Sequence, residues 1–196
     1  MTKHDTYYYE RYAKLTLEKS FPEWKSHFSK VDRPDLQNES ENIGIEVTSS
    51  TPSQIREADS YGMKLLGKKV ADEEEKKFWG YLFLSPERVA MAYSATKGSV
   101  DSDISPQIIA AIAHKRDVWI EKGYKDFQIR GVYIFTGTSI IDSEMLEKVE
   151  KSKAFTFFQM VFINAIDKIF YYQDGWKEKA FSNEELAEFK KKALEL

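Results

Sequence analysis

Two acidic side chains, Asp35 and Glu46, have the spacing in this sequence that most directly suggests chemistry. Each stands in one of two strand-like segments, which turn-forming and charged residues separate: 32–37 and 43–48, with the turn at 38–42. If the segments pair as a hairpin with Leu36 opposite Ile45, the constant index sum of antiparallel partners places Asp35 opposite Glu46. The sequence therefore predicts two carboxylates side by side on one hairpin.

Two adjacent carboxylates need something that offsets their mutual repulsion. At about 4 Å apart, two unit charges repel by about 4 kcal/mol at an effective dielectric constant of about 20, which is large for a marginally stable fold. A divalent metal ion such as Mg2+ would offset the repulsion, because it prefers hard oxygen ligands and often binds through one or two carboxylates. A nearby arginine or lysine, or a proton held on one carboxyl group, would do the same. The residues leave these three alternatives open.

The strings Pro34-Asp35 and Glu46-Val47-Thr48 resemble the motif of the PD-(D/E)xK nuclease superfamily. The core of that superfamily is a helix followed by a hairpin, with an Asp on one strand and a Glu or Asp on the next. The resemblance implies a restriction-endonuclease-like core, hydrolysis of DNA phosphodiester bonds, and Mg2+ or Mn2+ bound by Asp35, Glu46 and the carbonyl of Val47. The superfamily's lysine follows the Glu by two residues, where this chain has Thr48. Either a lysine elsewhere takes its place, or the activity is altered or lost.

Lys115 is the candidate for the displaced cation. The pair Ser105-Pro106 predicts the start of its helix, with Ser105 as the cap and Pro106 as the first helical residue. Ile112 and Trp119 fall three residues before and four residues after Lys115, so the three side chains share one apolar face. A buried ammonium without a partner is too costly. Lys115 must therefore either meet a carboxylate or cover apolar surface with its stem while the ammonium reaches solvent.

Glu10 is the candidate for a further acidic group at the site. Residues 5–30 predict a helix that is broken or bent near Pro22, and Glu10 borders its apolar stripe. Such a carboxylate can point into a cleft or simply lie in solvent. The resemblance favours the cleft, because the superfamily often supplies an extra acidic residue from this helix, to bind a second metal or to hold a water. Glu18 is the rival position on the same helix.

The elements that must position these residues alternate between helix and strand. We expect a helix from Thr51 to Gly67, apolar runs of either type at 78–84 and 89–93, a buried strand at 129–136, a helix capped by Asp142 or Ser143, a buried helix at 155–166, a last strand at 167–172, and a terminal helix with a Ser182/Glu185 capping box. This alternation predicts an α/β domain with a mixed central β-sheet flanked by helices. The helix after Thr51 would direct its N-terminus towards the carboxylates or a bound phosphate.

Composition sets the remaining expectations. The 196 residues fit one domain that spans 1–196, and 42% hydrophobic with 14% aromatic content is typical of a globular protein. No apolar run is long enough to span a membrane, and the polar start without any cysteine favours the cytoplasm. A net charge of −3 provides no general attraction to nucleic acid, so DNA must be bound through a local basic face or a metal. The apolar stretch 155–166 would also suit the interface of a homodimer.

Three hypotheses follow for the function. In the first, the chain is a Mg-dependent nuclease that hydrolyses DNA with Asp35, Glu46, Lys115 and Glu10. In the second, a catalytically altered or inactive module of the same fold binds nucleic acid or protein. In the third, Arg33 pairs with both hairpin carboxylates in a structural ion cluster. Convergence of the two carboxylates on one point beside a lysine ammonium favours the first hypothesis, whereas a guanidinium at that point favours the third.

Overall fold

The residues that the structure describes form two compact units. The computed structural model describes residues 3–24, 28–51, 65, 67–77, 82–93, 103–137 and 140–195. One unit comprises Met1–Ser50 and Ile104–Leu196, and the other comprises Thr51–Asp103. The expectation of one domain stays a prediction, because two compact units of one chain can still fold together. Among the described residues, no helix is both long and apolar enough to span a membrane.

The strands of the larger unit form one mixed sheet. In chain order the strands of the described residues are β1 (Ser29–Lys30), β2 (Leu36–Asn38), β3 (Ile43–Ser49), β4 (Leu82–Leu84), β5 (Ala90–Tyr93), β6 (Ile129–Phe135), β7 (Met160–Asn164), β8 (Lys168–Tyr172) and β9 (Trp176–Ala180). The larger unit holds seven of them in the order β1-β2-β3-β6-β7-β8-β9. Strands β3, β6 and β7 are parallel, and the strands on either side of them are antiparallel.

Four of the five described helices flank this sheet. The helices are α1 (Lys3–Ser20), α2 (Asp72–Lys77), α3 (Ser105–Glu121), α4 (Ser143–Glu150) and α5 (Asn183–Leu194), with a 3-10 turn at Phe155–Phe157. Helices α1 and α5 pack on one face of the sheet, and α3 and α4 pack on the other. Of these five described helices, α2 is the one that lies in the smaller unit. The predicted α/β architecture, a mixed sheet flanked by helices, is confirmed.

Each face of the sheet has its own apolar core. The first core joins α1 and α5 to side chains that include Leu36, Ile43, Ile45, Val47, Tyr133, Phe135 and Phe162. The second core joins α3 and α4 to side chains that include Val132, Ile134, Val161, Ile163 and Phe170. Successive side chains of a strand point to opposite faces. Because Ile45 and Val47 belong to the first core, Glu46 between them points towards the face that α3 covers.

The smaller unit contains α2 and the antiparallel pair β4-β5. The charge run at 71–77 contains α2, and those of its side chains that the structure describes are mostly exposed. The apolar runs whose type was left open prove to be strands where they are described, at 82–84 and 90–93. Most of the predicted helix from Thr51 to Gly67, at 52–64 and 66, lies outside the described residues.

The prediction of one broken or bent helix over 5–30 is wrong at its C-terminal end. Helix α1 ends at Ser20, and Ser29–Lys30 forms the edge strand β1. Pro22 explains the stop, because proline has no N–H to donate and its ring clashes with the preceding turn. The chain is anchored after the helix by Phe21, which stacks on Trp24 with ring centroids 4.4 Å apart.

The prediction of a buried helix over 155–166 is also wrong. After the 3-10 turn, this segment forms β7, whose five residues are all buried between β6 and β8. A strand that is covered on both faces is apolar at every position, so its pattern matches that of a buried helix. The strand predicted at 167–172 exists as β8, but β9 follows it across the turn at Asp174-Gly175.

Most of the capping predictions are confirmed. The Asp142 carboxylate accepts a hydrogen bond of 2.8 Å from the Met145 N–H at the start of α4. Ser182 and Glu185 form the complete capping box of α5. The predicted buried strand is β6. At α3 the N-cap is Ile104 rather than Ser105, so the serine is already the first helical residue.

Candidate functional site

The hairpin pairs in the predicted register. Leu36 lies opposite Ile45, and Gln37 lies opposite Gly44. The ladder stops at Leu36, however, so residues 32–35 form a bend and not the strand that was predicted. The index sum thus predicted the register of the ladder correctly, but Asp35 lies beyond the ladder, in a bend next to β3.

Asp35 is held at the edge of the sheet by its backbone and by its side chain. Its carbonyl accepts a hydrogen bond of 3.2 Å from the Val31 N–H. Its Oδ2 atom accepts one of 2.7 Å from the Val47 N–H, the amide directly after Glu46. The side chain keeps 23% of its surface exposed. Asp35 is therefore a fixed carboxylate at an open position.

Glu46 lies in the middle of β3 and is almost fully buried, with 1% of its side chain exposed. Burial in a medium of low dielectric disfavours a charged carboxylate, and it is the largest cause of the raised pKa of Glu46. Asp35 raises this pKa further, whereas Lys115 and the Tyr124 hydroxyl lower it. The Oε1 atom of Glu46 is buried without a hydrogen-bond partner of ordinary geometry among the described residues.

Lys115 brings the two carboxylates together. Its Nζ atom contacts Oε2 of Glu46 and lies 3.5 Å from Oδ2 of Asp35. Ile112 and Trp119 are buried on the same side of α3, as the spacing predicted. Burial lowers the pKa of Lys115, but the two carboxylates outweigh that effect and leave its pKa above the usual value. The lysine is therefore a charged ammonium held between two acidic side chains.

Tyr124 is a site residue that the sequence analysis missed. Its ring packs against Trp119 with centroids 5.2 Å apart, and its hydroxyl faces Glu46 and stabilises the charged carboxylate. Burial and the negative charge of Glu46 raise the pKa of Tyr124, so its proton stays in place at neutral pH. A single tyrosine just after a helix carries no periodic signal, so no pattern in the sequence marked it.

Glu10 lies close to this group without joining it. Its side chain comes from α1, on the other face of the sheet, and its Oε2 atom lies 3.1 Å from Nζ of Lys30 on β1. Glu10 is 7% exposed, and burial is the largest cause of its raised pKa. The charges of Asp35 and Lys115 also shift this pKa, so both lie within electrostatic range. Lys30, the direct partner, was not singled out in the sequence.

The remaining sequence candidates lie elsewhere. Arg33 is exposed and contacts Asp32, with Nε 3.6 Å from Oδ2, so Lys115 and not a guanidinium stands between the hairpin carboxylates. Glu18 accepts a hydrogen bond from the Phe28 N–H at 3.0 Å and has no part in the cluster. Thr48, at the position of the superfamily's lysine, is half-buried and lies opposite Ile134 of β6.

Gly44 explains why the bend can approach β3 so closely. A Cβ atom at this position would lie 2.6 Å from Cδ2 of Phe127 and 2.8 Å from Cγ of Pro34. Both distances are far below van der Waals contact, so any larger residue would push Pro34 outward. Since Pro34 directly precedes Asp35, the absence of a side chain at Gly44 helps to set the position of that carboxylate.

The donor atoms of this cluster fit a hard divalent cation. Asp35 and Glu46 offer carboxylate oxygens, and the buried Oε1 of Glu46 is an acceptor that still needs a donor or a cation. Among the described residues, no group of three or more His, Asp or Glu side chains comes together as a metal site. A Mg2+ ion bound here would have two carboxylate ligands and would need a backbone carbonyl, water or substrate to complete its coordination.

Comparisons with protein-family models, with curated proteins and with solved structures find no significant match to this chain. The fold and the site by themselves define an α/β protein with a partly buried cluster of two carboxylates and one ammonium, at the junction of a hairpin and the parallel strands of a mixed sheet.

Proposed function

We propose that this protein is a metal-dependent nuclease that hydrolyses DNA phosphodiester bonds. The observation that supports the proposal most strongly is the contact of one lysine ammonium with both hairpin carboxylates. A pair of acidic groups beside a cation is the combination that the sequence resemblance implies, with Lys115 of α3 in the role of the lysine replaced by Thr48. The restriction-endonuclease-like core belongs to the same proposal.

Each residue of the cluster has a distinct role in the proposed reaction. Asp35 and Glu46, with the Val47 carbonyl, would hold Mg2+ or Mn2+. The bound ion would supply Lewis-acid polarisation of the phosphoryl group and a lowered pKa for the attacking water. Lys115 would donate hydrogen bonds to phosphate oxygens and stabilise the negative charge that develops on them. The burial of Glu46 strengthens these interactions, because charges attract more strongly away from water.

Glu10 has a secondary role in this proposal. From its place beside Lys30, within electrostatic range of Asp35, it would hold a water or contribute to a second cation. Since Glu10 does not contact the other carboxylates, we expect its loss to reduce cleavage less than the loss of Glu46.

Cleavage assays with purified protein test the proposal. Plasmid, linear and single-stranded DNA are incubated with Mg2+ or Mn2+, and we expect cleavage that Glu46→Ala and Glu46→Gln reduce by at least about a hundredfold. Glu178→Ala is the matched control, because Glu178 is an exposed carboxylate whose lysine partner, Lys168, lies 3.2 Å away on the same sheet. Cleavage that persists in both Glu46 variants would show that the activity does not come from this site.

An inactive binding module is the second candidate function. It is favoured by the ammonium itself, which already neutralises part of the carboxylate charge, and by Thr48 in place of the superfamily's lysine. In that case the wild-type protein binds DNA or a protein partner without cleavage under any metal condition. A cytoplasmic location and a homodimer also stay proposals, and light scattering on the purified protein tests the dimer.

A further inference from the structure

The Lys115 ammonium contacts the same oxygens that a metal ion at this site would need. Its Nζ atom lies against Oε2 of Glu46 and 3.5 Å from Oδ2 of Asp35. Mg2+ binds carboxylate oxygens at about 2.0–2.1 Å. A doubly charged ion at that distance would leave the ammonium only a few ångströms away, where like charges repel strongly. The ammonium and the metal ion therefore cannot both make their best contacts with these two carboxylates.

The structure allows the ammonium to move without unfolding the site. The Lys115 side chain is 17% exposed, and Asp35 beside it is 23% exposed, so the cluster opens to solvent on this side. A lysine has a flexible four-carbon stem whose rotamers can swing the ammonium by several ångströms. Glu46, in contrast, is fixed in the middle of β3 and almost fully buried. The lysine is thus the member of the cluster whose side chain can change its rotamer most readily.

The charges indicate where the ammonium would go. With all three groups ionised, two carboxylates and one ammonium leave one net negative charge. A divalent cation neutralises the two carboxylates, and the released ammonium then leaves the site with one net positive charge. A phosphodiester carries one negative charge and accepts hydrogen bonds from lysine, so it is a suitable new partner. Metal, ammonium and phosphodiester then complete the site together.

We propose that Lys115 and a divalent metal ion compete for Asp35 and Glu46, and that metal binding transfers the Lys115 ammonium to the phosphodiester of the substrate. The inference rests on the metal site of the proposed function. It makes Lys115 a built-in competitor of the metal ion. Metal binding releases the ammonium that contacts the DNA, and bound DNA keeps the ammonium away from the carboxylates. Metal and DNA therefore bind with positive coupling.

Titration of Mn2+ into the protein, followed by calorimetry or by the electron paramagnetic resonance of free Mn2+, tests the competition directly. We expect Lys115→Met to bind Mn2+ about tenfold more tightly than the wild type, the scale of one hydrogen bond between charged groups. Lys168→Met is the matched control, since Lys168 also pairs with a carboxylate, at 3.2 Å, but lies on β8. Its Mn2+ affinity should equal that of the wild type. Unchanged or weaker Mn2+ binding by Lys115→Met would overturn the competition.

A second arm tests the transfer to the substrate. A duplex with non-hydrolysable phosphorothioate linkages should raise the Mn2+ affinity of the wild type several-fold, and Lys115→Met should lose this enhancement. Enhancement of equal size in both proteins would overturn the transfer.

A measurement on the wild type covers the case in which Lys115→Met does not fold. Acetylation of lysines, read by mass spectrometry with and without Mg2+, reports how accessible each ammonium is. We expect Mg2+ to increase the labelling of Lys115 and to leave that of Lys168 unchanged. Labelling of Lys115 that stays constant or falls would contradict the inference.

These outcomes are distinguishable from failure of the nuclease proposal. Tighter Mn2+ binding by Lys115→Met in a protein that cleaves no DNA would support the competition and refute the nuclease. Cleavage that depends on Glu46, together with weaker Mn2+ binding by Lys115→Met, would support the nuclease and refute the competition.

Discussion

Two groups of buried polar side chains lie on opposite faces of the same sheet, and they differ in how completely they are satisfied. On the α1 face, the Tyr133 hydroxyl accepts a hydrogen bond of 3.0 Å from Nδ2 of Asn164 and shares one of 2.9 Å with Oγ1 of Thr16. On the α3 face, Lys115 contacts two carboxylates, and Oε1 of Glu46 is left without a partner among the described residues.

This difference indicates what each group contributes to the protein. The Tyr133 network is neutral, fully buried and connects α1 with β6 and β7, so it stabilises one arrangement of the core. The Glu46 cluster keeps ionised groups in a buried place, and although the Tyr124 hydroxyl faces Glu46, Oε1 has no hydrogen bond of ordinary geometry among the described residues, which is costly for stability unless a ligand completes it. Perturbed ionisable groups of this kind are concentrated at functional sites. The first group therefore belongs to the fold, and the second is the candidate for function.

The largest loss of stability is expected from Gly44→Ala, although Gly44 belongs to neither group. The new Cβ would overlap Phe127 and Pro34, at 2.6 Å and 2.8 Å, and overpacking of this kind costs about 1–3 kcal/mol in the free energy of unfolding. Urea denaturation measures the loss, and weaker Mn2+ binding should accompany it as the bend that carries Asp35 shifts. Gly131→Ala is the control, because its Cβ would lie no closer than 3.0 Å to the Ile45 side chain and 3.6 Å to the Met160 carbonyl oxygen. Wild-type stability in Gly44→Ala would show that the bend is not held by this contact.

A smaller loss of stability, without any effect on the Glu46 cluster, is expected from Tyr133→Phe. Loss of the hydroxyl leaves Asn164 Nδ2 without its acceptor, and we expect the free energy of unfolding to fall by about 1–2 kcal/mol. Mn2+ affinity should not change. Tyr171→Phe, on the half-buried surface of β8, is the control for loss of a tyrosine hydroxyl. If Tyr133→Phe weakened Mn2+ binding as much as Glu46→Gln, the division between a structural group and a functional group would fail.

The sequence could predict those features that depend on residues close together in the chain. The hairpin register followed from an index sum, and Lys115 was found because its spacing to Ile112 and Trp119 placed it on a buried face. A charge on such a face must find a partner. That requirement left two alternatives for Lys115, a carboxylate partner or an ammonium that reaches solvent, and the structure shows the carboxylate partner.

The remaining parts had no local signal. Tyr124 and Lys30 join their carboxylates only through the tertiary structure. The segment 155–166 was predicted as a helix because a strand covered on both faces shows no alternation of polar and apolar residues. Helix α1 ends early because Pro22 stops it completely. This stop was missed from the sequence, because the residues after Pro22 continue the helical pattern. Such pairings and burial are set by the whole fold rather than by a short stretch of chain.

The smallest expected effect concerns the pH dependence that Glu10 gives to stability. Burial, opposed by Lys30 and reinforced by Asp35, raises the pKa of Glu10, so the folded protein binds this proton more tightly than the unfolded chain does. The stabilisation from the protonated carboxyl group is complete below the unfolded pKa of about 4.3. It is lost as the pH rises through the folded pKa.

Glu10→Gln, which resembles the protonated form, should therefore gain stability relative to the wild type as the pH rises from about 4 to about 7. Urea denaturation across this range measures the difference. Glu185→Gln is a control of opposite sign, since hydrogen bonds from Lys19 and Ser182 lower the pKa of Glu185. Adding Asp35→Asn should reduce the slope due to Glu10, because the carboxylate that raises its pKa is then neutral. If Asp35→Asn left the pH dependence due to Glu10 unchanged, Glu10 would have no electrostatic coupling to the cluster and would interact with Lys30 alone.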